Sequence, residues 1–85
     1  MFARKLKVEV VDGEARRLAP QRWLEEYFMK NFIRPAVFDE TLVTGEGEME
    51  AGWGVPVETV REALEAWWRG RKKIGAGARV EVSER

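Results

Sequence analysis

Residues 48–55 read EMEAGWGV, and their apolar and polar positions alternate. Successive side chains of a strand point to opposite faces, so this pattern predicts a strand with one apolar face. The apolar face is formed by Met49, Ala51, Trp53 and Val55. The preceding TGEG at residues 44–47 is typical of a turn. Together with AVFDETLV at residues 36–43, which also reads as a strand, it predicts a hairpin.

Two more segments alternate in the same way, at residues 5–11 and 78–83, and Asp12-Gly13 breaks the first of them. Apolar side chains recur at helical spacing over residues 20–33 and 56–69, each beginning with a proline. The order is strand, helix, strand, strand, helix, strand. With right-handed crossovers it predicts an α+β fold, a ferredoxin-like βαββαβ two-layer sandwich with sheet order 4-1-3-2.

The chain has 85 residues, which is the length of one domain over residues 1–85. The helices are expected to cover one face of the sheet, and the core to form between the two layers. The predicted core residues are Leu6, Val8, Val10, Leu24, Phe28, Phe38, Leu42, Met49, Trp53, Val60, Leu64, Trp67, Val80 and Val82.

The composition excludes several kinds of chemistry. There are 15 basic and 15 acidic residues but no cysteine and no histidine, and Ser83 is the only serine. A disulfide, a thiolate zinc site, a thiol nucleophile and an imidazole base are therefore all excluded. We expect a protein that is not an enzyme and that has no cofactor and no metal.

The apolar runs are only a few residues long, and no apolar stretch follows the charges at the start. We therefore expect no membrane span, no signal peptide and a cytoplasmic location. Ten arginines against five lysines, with one asparagine and one glutamine, are typical of a thermophile protein.

Residues 53–64, WGVPVETVREAL, resemble the helix-turn-helix segment of GntR-type transcription repressors. The resemblance lies in Gly54-Val55 and in the VREAL sequence that begins at Val60. It implies a winged helix in which Thr59 and Arg61 approach DNA, with residues 53–73 as the binding region. This alternative requires a helix just before Gly54, whereas the alternation described above predicts a strand.

Two clusters of charge are candidates for binding. The basic cluster consists of Arg69, Arg71, Lys72, Lys73 and Arg79, and it indicates either a nucleic-acid contact or a solvated helix end. The acidic cluster consists of Glu46, Glu48 and Glu50, with Asp39 nearby. It could hold Mg²⁺ or Ca²⁺, but its position on a strand favours ordinary pairing with Lys5, Lys7 and Arg79.

The aromatic content is high for one small core, with four tryptophans in the chain. Trp67 and Trp68 are adjacent on a helix, so both cannot point inward, and we place Trp67 in the core. The predicted interface is Trp68, Met29, Ile33 and Phe32. The functional hypothesis is a small binding or assembly module whose partner is itself, as a homodimer or larger assembly, or another protein. The alternative is a DNA-binding regulator.

Overall fold

The structure is a computed structural model that describes residues 3–30 and 41–85. Within these ranges the chain forms five strands and two helices. Their bounds are β1 Ala3–Asp12, β2 Ala15–Leu18, α1 Gln21–Lys30, β3 Leu42–Gly45, β4 Glu48–Gly52, α2 Val57–Gly70 and β5 Ala78–Glu84. The strands pair into one antiparallel sheet, so the predicted α+β class is confirmed.

Strand β1 holds the sheet together because both of its edges are paired. Residues 6–12 pair with β5 along one edge. On the opposite edge, residues 9–12 pair with β2 and residues 3–7 pair with β4. Strand β3 then pairs with β4. As a result, β2 and β4 lie end to end along the same edge of β1.

A ring of three backbone hydrogen bonds closes the junction between β2 and β4. The Val8 N–H donates to the Gly47 carbonyl (2.7 Å), the Gly47 N–H to the Ala19 carbonyl (2.8 Å), and the Ala19 N–H to the Val8 carbonyl (3.0 Å). Gly47 has a φ of +66°, and a Cβ there would lie 2.7 Å from the Leu18 Cβ. Both the backbone conformation and the lack of space therefore require glycine.

Strand β2 is not among the predicted elements. The sequence predicts only a break at Asp12-Gly13, whereas the chain turns there and pairs Asp12 with Ala15. Gly13 has a φ of +62° at the first central position, as in a type II′ hairpin turn. All four β2 residues are exposed, so the strand has no apolar alternation by which it could be recognised.

The two helices cover one face of the sheet, which is compatible with a two-layer sandwich. Inward residues of β1 form one buried cluster with residues of both helices. The predicted core residues that are buried are Leu6, Val8, Val10, Leu24, Met49, Val60, Leu64 and Val80, and those that are partly buried are Phe28, Trp67 and Val82.

Two predicted core residues are exposed instead, since Leu42 and Trp53 each keep 60% of their surface. Leu42 lies opposite Glu50 in the register, so it shares the open face of the sheet. Strand β4 ends at Gly52, and Trp53 belongs to the turn that follows. Buried residues that the predicted core does not include are Val11, Ala19, Trp23, Tyr27, Ala51, Trp68, Ile74 and Ala78.

Part of the prediction falls on residues that the structure does not describe. The end of the first predicted helix, at residues 31–33, lies there, and so does most of the strand predicted at 36–43, including Phe38.

We expect Gly47→Ala to destabilise the fold strongly, and Gly13→Ala is its matched control. Both glycines have a positive φ near 60°, but a Cβ at Gly13 would meet nothing within 4 Å. Gly13→Ala should therefore cost only the left-handed backbone penalty, about 1–2 kcal/mol. Gly47→Ala should cost about 1–3 kcal/mol more because of the clash with Leu18.

Urea unfolding of both variants measures this difference. Equal losses of stability would show that the junction can relax around a side chain at position 47.

Candidate functional site

Trp68, the first residue of the predicted interface, is completely buried, so that assignment is wrong. Its ring centroid lies 5.5 Å from that of Trp23, which belongs to α1. Trp67 is the partly exposed member of the pair, and its ring lies 5.6 Å from Tyr27. The inward face of α2 follows the row of Val60, Leu64 and Trp68, while Trp67 lies beside that row, where α1 approaches.

The other predicted interface residues have different outcomes. Met29 is 78% exposed on α1, so it remains available to a partner. Phe32 and Ile33 lie outside the described residues.

Cations line the aromatic contact between the helices. The Arg71 guanidinium lies 4.2 Å from the centroid of Trp67. Arg17 and Lys73 lie over the Trp23 ring, at 5.2 Å and 5.7 Å. Trp68, which the sequence suggests as spare surface, is therefore used with Trp23 between α1 and α2, and basic groups lie over the rings of Trp23 and Trp67.

The basic cluster is largely neutralised by carboxylates. Lys73 Nζ lies 3.2 Å from Glu26 Oε2, and Arg71 lies 3.9 Å from the same carboxylate. Arg69 pairs with Glu65 and Arg79 with Glu81. Lys72 is the remaining member, and it has a left-handed backbone, with a φ of 59°.

The acidic cluster also has basic neighbours. Glu48 pairs with Arg85, and Glu50 lies opposite Lys5 in the register of β1 and β4. Over residues 3–30 and 41–85, no group of three acidic side chains is placed to hold a metal ion. Asp39 lies outside those ranges.

The outer edge of β5 is occupied over its first half by side chains of α2. Glu65 accepts the Val80 N–H at 2.9 Å, and Arg69 donates to the Ala78 carbonyl at 2.5 Å. Glu65 in turn binds Arg61 (3.1 Å) and Arg69 (3.2 Å). Covering the polar groups of an edge strand in this way prevents another strand from pairing there.

The bond from the Val80 N–H is the main reason that the pKa of Glu65 lies below its ordinary value, and Arg69 and Arg61 lower it further. Burial opposes this shift. The pair of residues Glu65 and Arg69 is called the edge clasp below.

An exposed tryptophan and a largely covered arginine lie together at the surface. Trp53 is 60% exposed, and the Arg4 guanidinium carbon lies 5.5 Å from its ring centroid. The two residues line an open cleft of about 480 Å³ together with Lys5, Glu84 and Arg85. A turn closed by the Val55 N–H and the Gly52 carbonyl, at 3.2 Å, carries Trp53.

Arg4 is a residue that the sequence analysis misses. It shares the inward face of β1 with Leu6, Val8 and Val10, since it lies opposite Ala51 of β4. A charged residue at an apolar position of an alternating strand is a signal in the sequence, and it points to this site.

Neither described helix is long and apolar enough to cross a membrane. Comparison of the chain with protein-family models, with curated proteins and with solved structures found no match.

We expect Trp68→Ala to cost about 3–5 kcal/mol of folding free energy, because it removes a fully buried indole from the core. Trp67→Ala should cost less, because that side chain keeps part of its surface in solvent. Urea unfolding measures both, and a larger loss for Trp67→Ala would contradict the assignment.

We expect Glu65→Gln to lower stability by about 1–2 kcal/mol at neutral pH, because it removes the charge that holds the edge clasp. The lowered pKa of Glu65 means that its contribution is complete above the ordinary carboxyl pKa and is lost as the pH falls through the folded-state value. The difference from wild type should therefore shrink in acid.

Glu62→Gln is the control, because Glu62 is exposed on the same helix and its carboxylate lies 3.9 Å from Arg61. Urea unfolding at neutral and acidic pH compares the two variants. A loss for Glu65→Gln that does not change with pH would contradict the role of its charge.

Proposed function

We propose that this chain is a non-enzymatic binding and assembly module that associates with itself through apolar side chains. The observation that carries the proposal is the exposure of Met29, at 78% the highest among the large apolar residues of the described ranges. An unbranched, flexible methionine on a surface adapts to the shape of a partner and loses its unfavourable contact with water on binding.

The position of Met29 supports an interface at the end of α1. The helix presents Trp23, Leu24 and Tyr27 to the core, so Met29 lies on a different side. Phe32 and Ile33 follow three and four positions later in the sequence, where the sequence analysis predicts the rest of the interface. The proposal rests on this surface, because Trp68 is buried.

The edge clasp argues against a dimer in which two sheets pair through the first half of β5. Glu65 and Arg69 already bind the polar groups of Val80 and Ala78 that a second strand would need. Self-association through the helix side of the molecule leaves this clasp intact.

Two observations count against DNA binding through residues 53–73. The segment Glu48–Gly52 is a strand, where the winged-helix alternative needs a helix. Arg61 is held by Glu58 and Glu65, so the cation expected to approach DNA is already paired. Most of the basic cluster is paired as well.

We also propose that the fold is ferredoxin-like, with β2 as an addition to it. The ferredoxin-like arrangement then consists of β1, α1, β3, β4, α2 and β5. The pairing of β1 with both β4 and β5, and of β3 with β4, supports this order.

We expect light scattering across a concentration range to give a mass above that of the monomer, and Met29→Glu to shift it toward the monomer. A carboxylate at this position would lose its hydration shell in the interface, which is costly when no cation or hydrogen-bond donor replaces the water. Gln21→Glu is the matched control, because it adds the same charge at an exposed position of α1.

A monomeric wild type at all concentrations would rule out self-association. An unchanged mass for Met29→Glu would place the interface elsewhere. If Gln21→Glu has the same effect as Met29→Glu, the change reflects net charge rather than the apolar contact.

A further inference from the structure

The cleft between Arg4 and Trp53 lies where three parts of the sheet meet. Lys5 and Arg4 come from the start of β1, Glu84 from the end of β5, and Trp53 from the turn after β4. The Arg85 N–H donates to the Lys5 carbonyl at 3.1 Å, which ties the end of β5 to this region. The cleft has the volume of a small-molecule site, for which about 300–1,000 Å³ is usual.

Arg4 has unused hydrogen-bonding capacity beneath this cleft. Its side chain is only 9% exposed, and its Nε and Nη2 atoms are covered but have no hydrogen-bond partner. The Glu84 carboxylate lies 3.6 Å from Nε, which is an ion-pair distance but too long for a hydrogen bond. A guanidinium in this state is costly for the fold, and an anion bound nearby would offset the part of the cost that comes from its charge.

The charges of the cleft favour an anion. Three cationic side chains, Arg4, Lys5 and Arg85, face one carboxylate, Glu84, among the lining residues. Outside the lining, Glu48 pairs with Arg85 and Glu50 lies opposite Lys5 on β4, so the positive excess is confined to the lining residues. Lys5 has no ion pair within the part of the chain that the structure describes. Positive charge of this kind at a concave surface attracts phosphate groups.

Trp53 adds a flat apolar surface at the same place. Arg4 lies against its ring, so the indole has a support beneath it and keeps 60% of its surface exposed. An exposed indole stacks well on a planar ring, and stacking of a nucleobase on an aromatic side chain contributes about 1–3 kcal/mol.

We propose that this cleft binds a nucleotide, with the base stacked on Trp53 and the phosphate held by Lys5, while Arg85 stays paired with Glu48 and adds to the positive charge nearby. The Arg4 guanidinium, which lies against the Trp53 ring, attracts the phosphate through its positive charge. The proposal does not depend on self-association, which was argued from Met29 on α1.

Calorimetric titration with AMP tests the proposal, with adenosine and ribose 5-phosphate as partial ligands. We expect AMP to bind, and each partial ligand to bind about tenfold more weakly or worse, because each makes only one of the two contacts. AMP affinity should also fall as salt is added.

Two variants test the residues. Trp53→Ala should weaken AMP binding about tenfold through loss of stacking. Lys5→Ala should also weaken it, whereas Lys7→Ala should not, because Lys7 lies on the same strand but does not line this cleft. Both lysines are on the surface of β1, so neither change should unfold the protein, and circular dichroism verifies this.

Absence of AMP binding at millimolar concentration would overturn the proposal. Binding that is unchanged in both Trp53→Ala and Lys5→Ala would also overturn it. Titration with a short single-stranded oligonucleotide extends the test. If the oligonucleotide binds more tightly than AMP and Trp53→Ala abolishes this binding, the site is supported and its natural ligand is a nucleotide within a nucleic-acid strand.

Light scattering of Trp53→Ala separates this site from the assembly surface. Lost AMP binding with an unchanged mass would support two independent sites. A changed mass would show that Trp53 belongs to the interface and would overturn the nucleotide assignment.

Discussion

The sheet depends on the ring of hydrogen bonds among Val8, Ala19 and Gly47. Strand β1 pairs with both β2 and β4 along one edge, and a gap between these two strands would leave backbone groups of β1 without hydrogen-bond partners. The ring closes this break by joining the end of β2, the turn before β4 and the middle of β1. The register of the long β1 strand then places Leu6, Val8 and Val10 against the helices together.

The aromatic residues are arranged by the contact between the helices. Trp23 and Trp68 meet in the interior, and Tyr27 and Trp67 meet at its border. Arg69, Arg71 and Lys73 then lie on these rings or on Glu26 and Glu65. A cluster that looks in the sequence like a surface for nucleic acid therefore serves mainly to cover the aromatic contact. Most cations of the Arg4 cleft also have a carboxylate beside them, so the cleft is distinguished from the basic cluster by the exposed ring of Trp53 and the unpartnered nitrogens of Arg4.

The sequence predicted the elements with strong periodicity and missed those without it. Strands β1, β4 and β5 and helix α2 were recognised because their apolar positions recur with a regular period. Strand β2 is held by its turn, its backbone bonds and the charged contacts of Arg16 and Arg17, so its exposed side chains carry no apolar pattern. The choice between Trp67 and Trp68 also could not be predicted, because both lie near the apolar stripe and only the position of α1 distinguishes them.

The two ends of β5 differ in how their polar groups are satisfied, and this difference locates the candidate site. At the start of the strand, Glu65 and Arg69 bind the edge, and Glu65 is itself held by Arg61. At the other end, Glu84 lies too far from Arg4 for a hydrogen bond, and Arg4 keeps two covered nitrogens without partners. The covered indole N–H groups of Trp67 and Trp68 also lack a partner, so an unpartnered nitrogen alone does not mark a site. What distinguishes Arg4 is that its nitrogens carry charge and that it lies against the ring of an exposed tryptophan, and these two features together carry the proposed site.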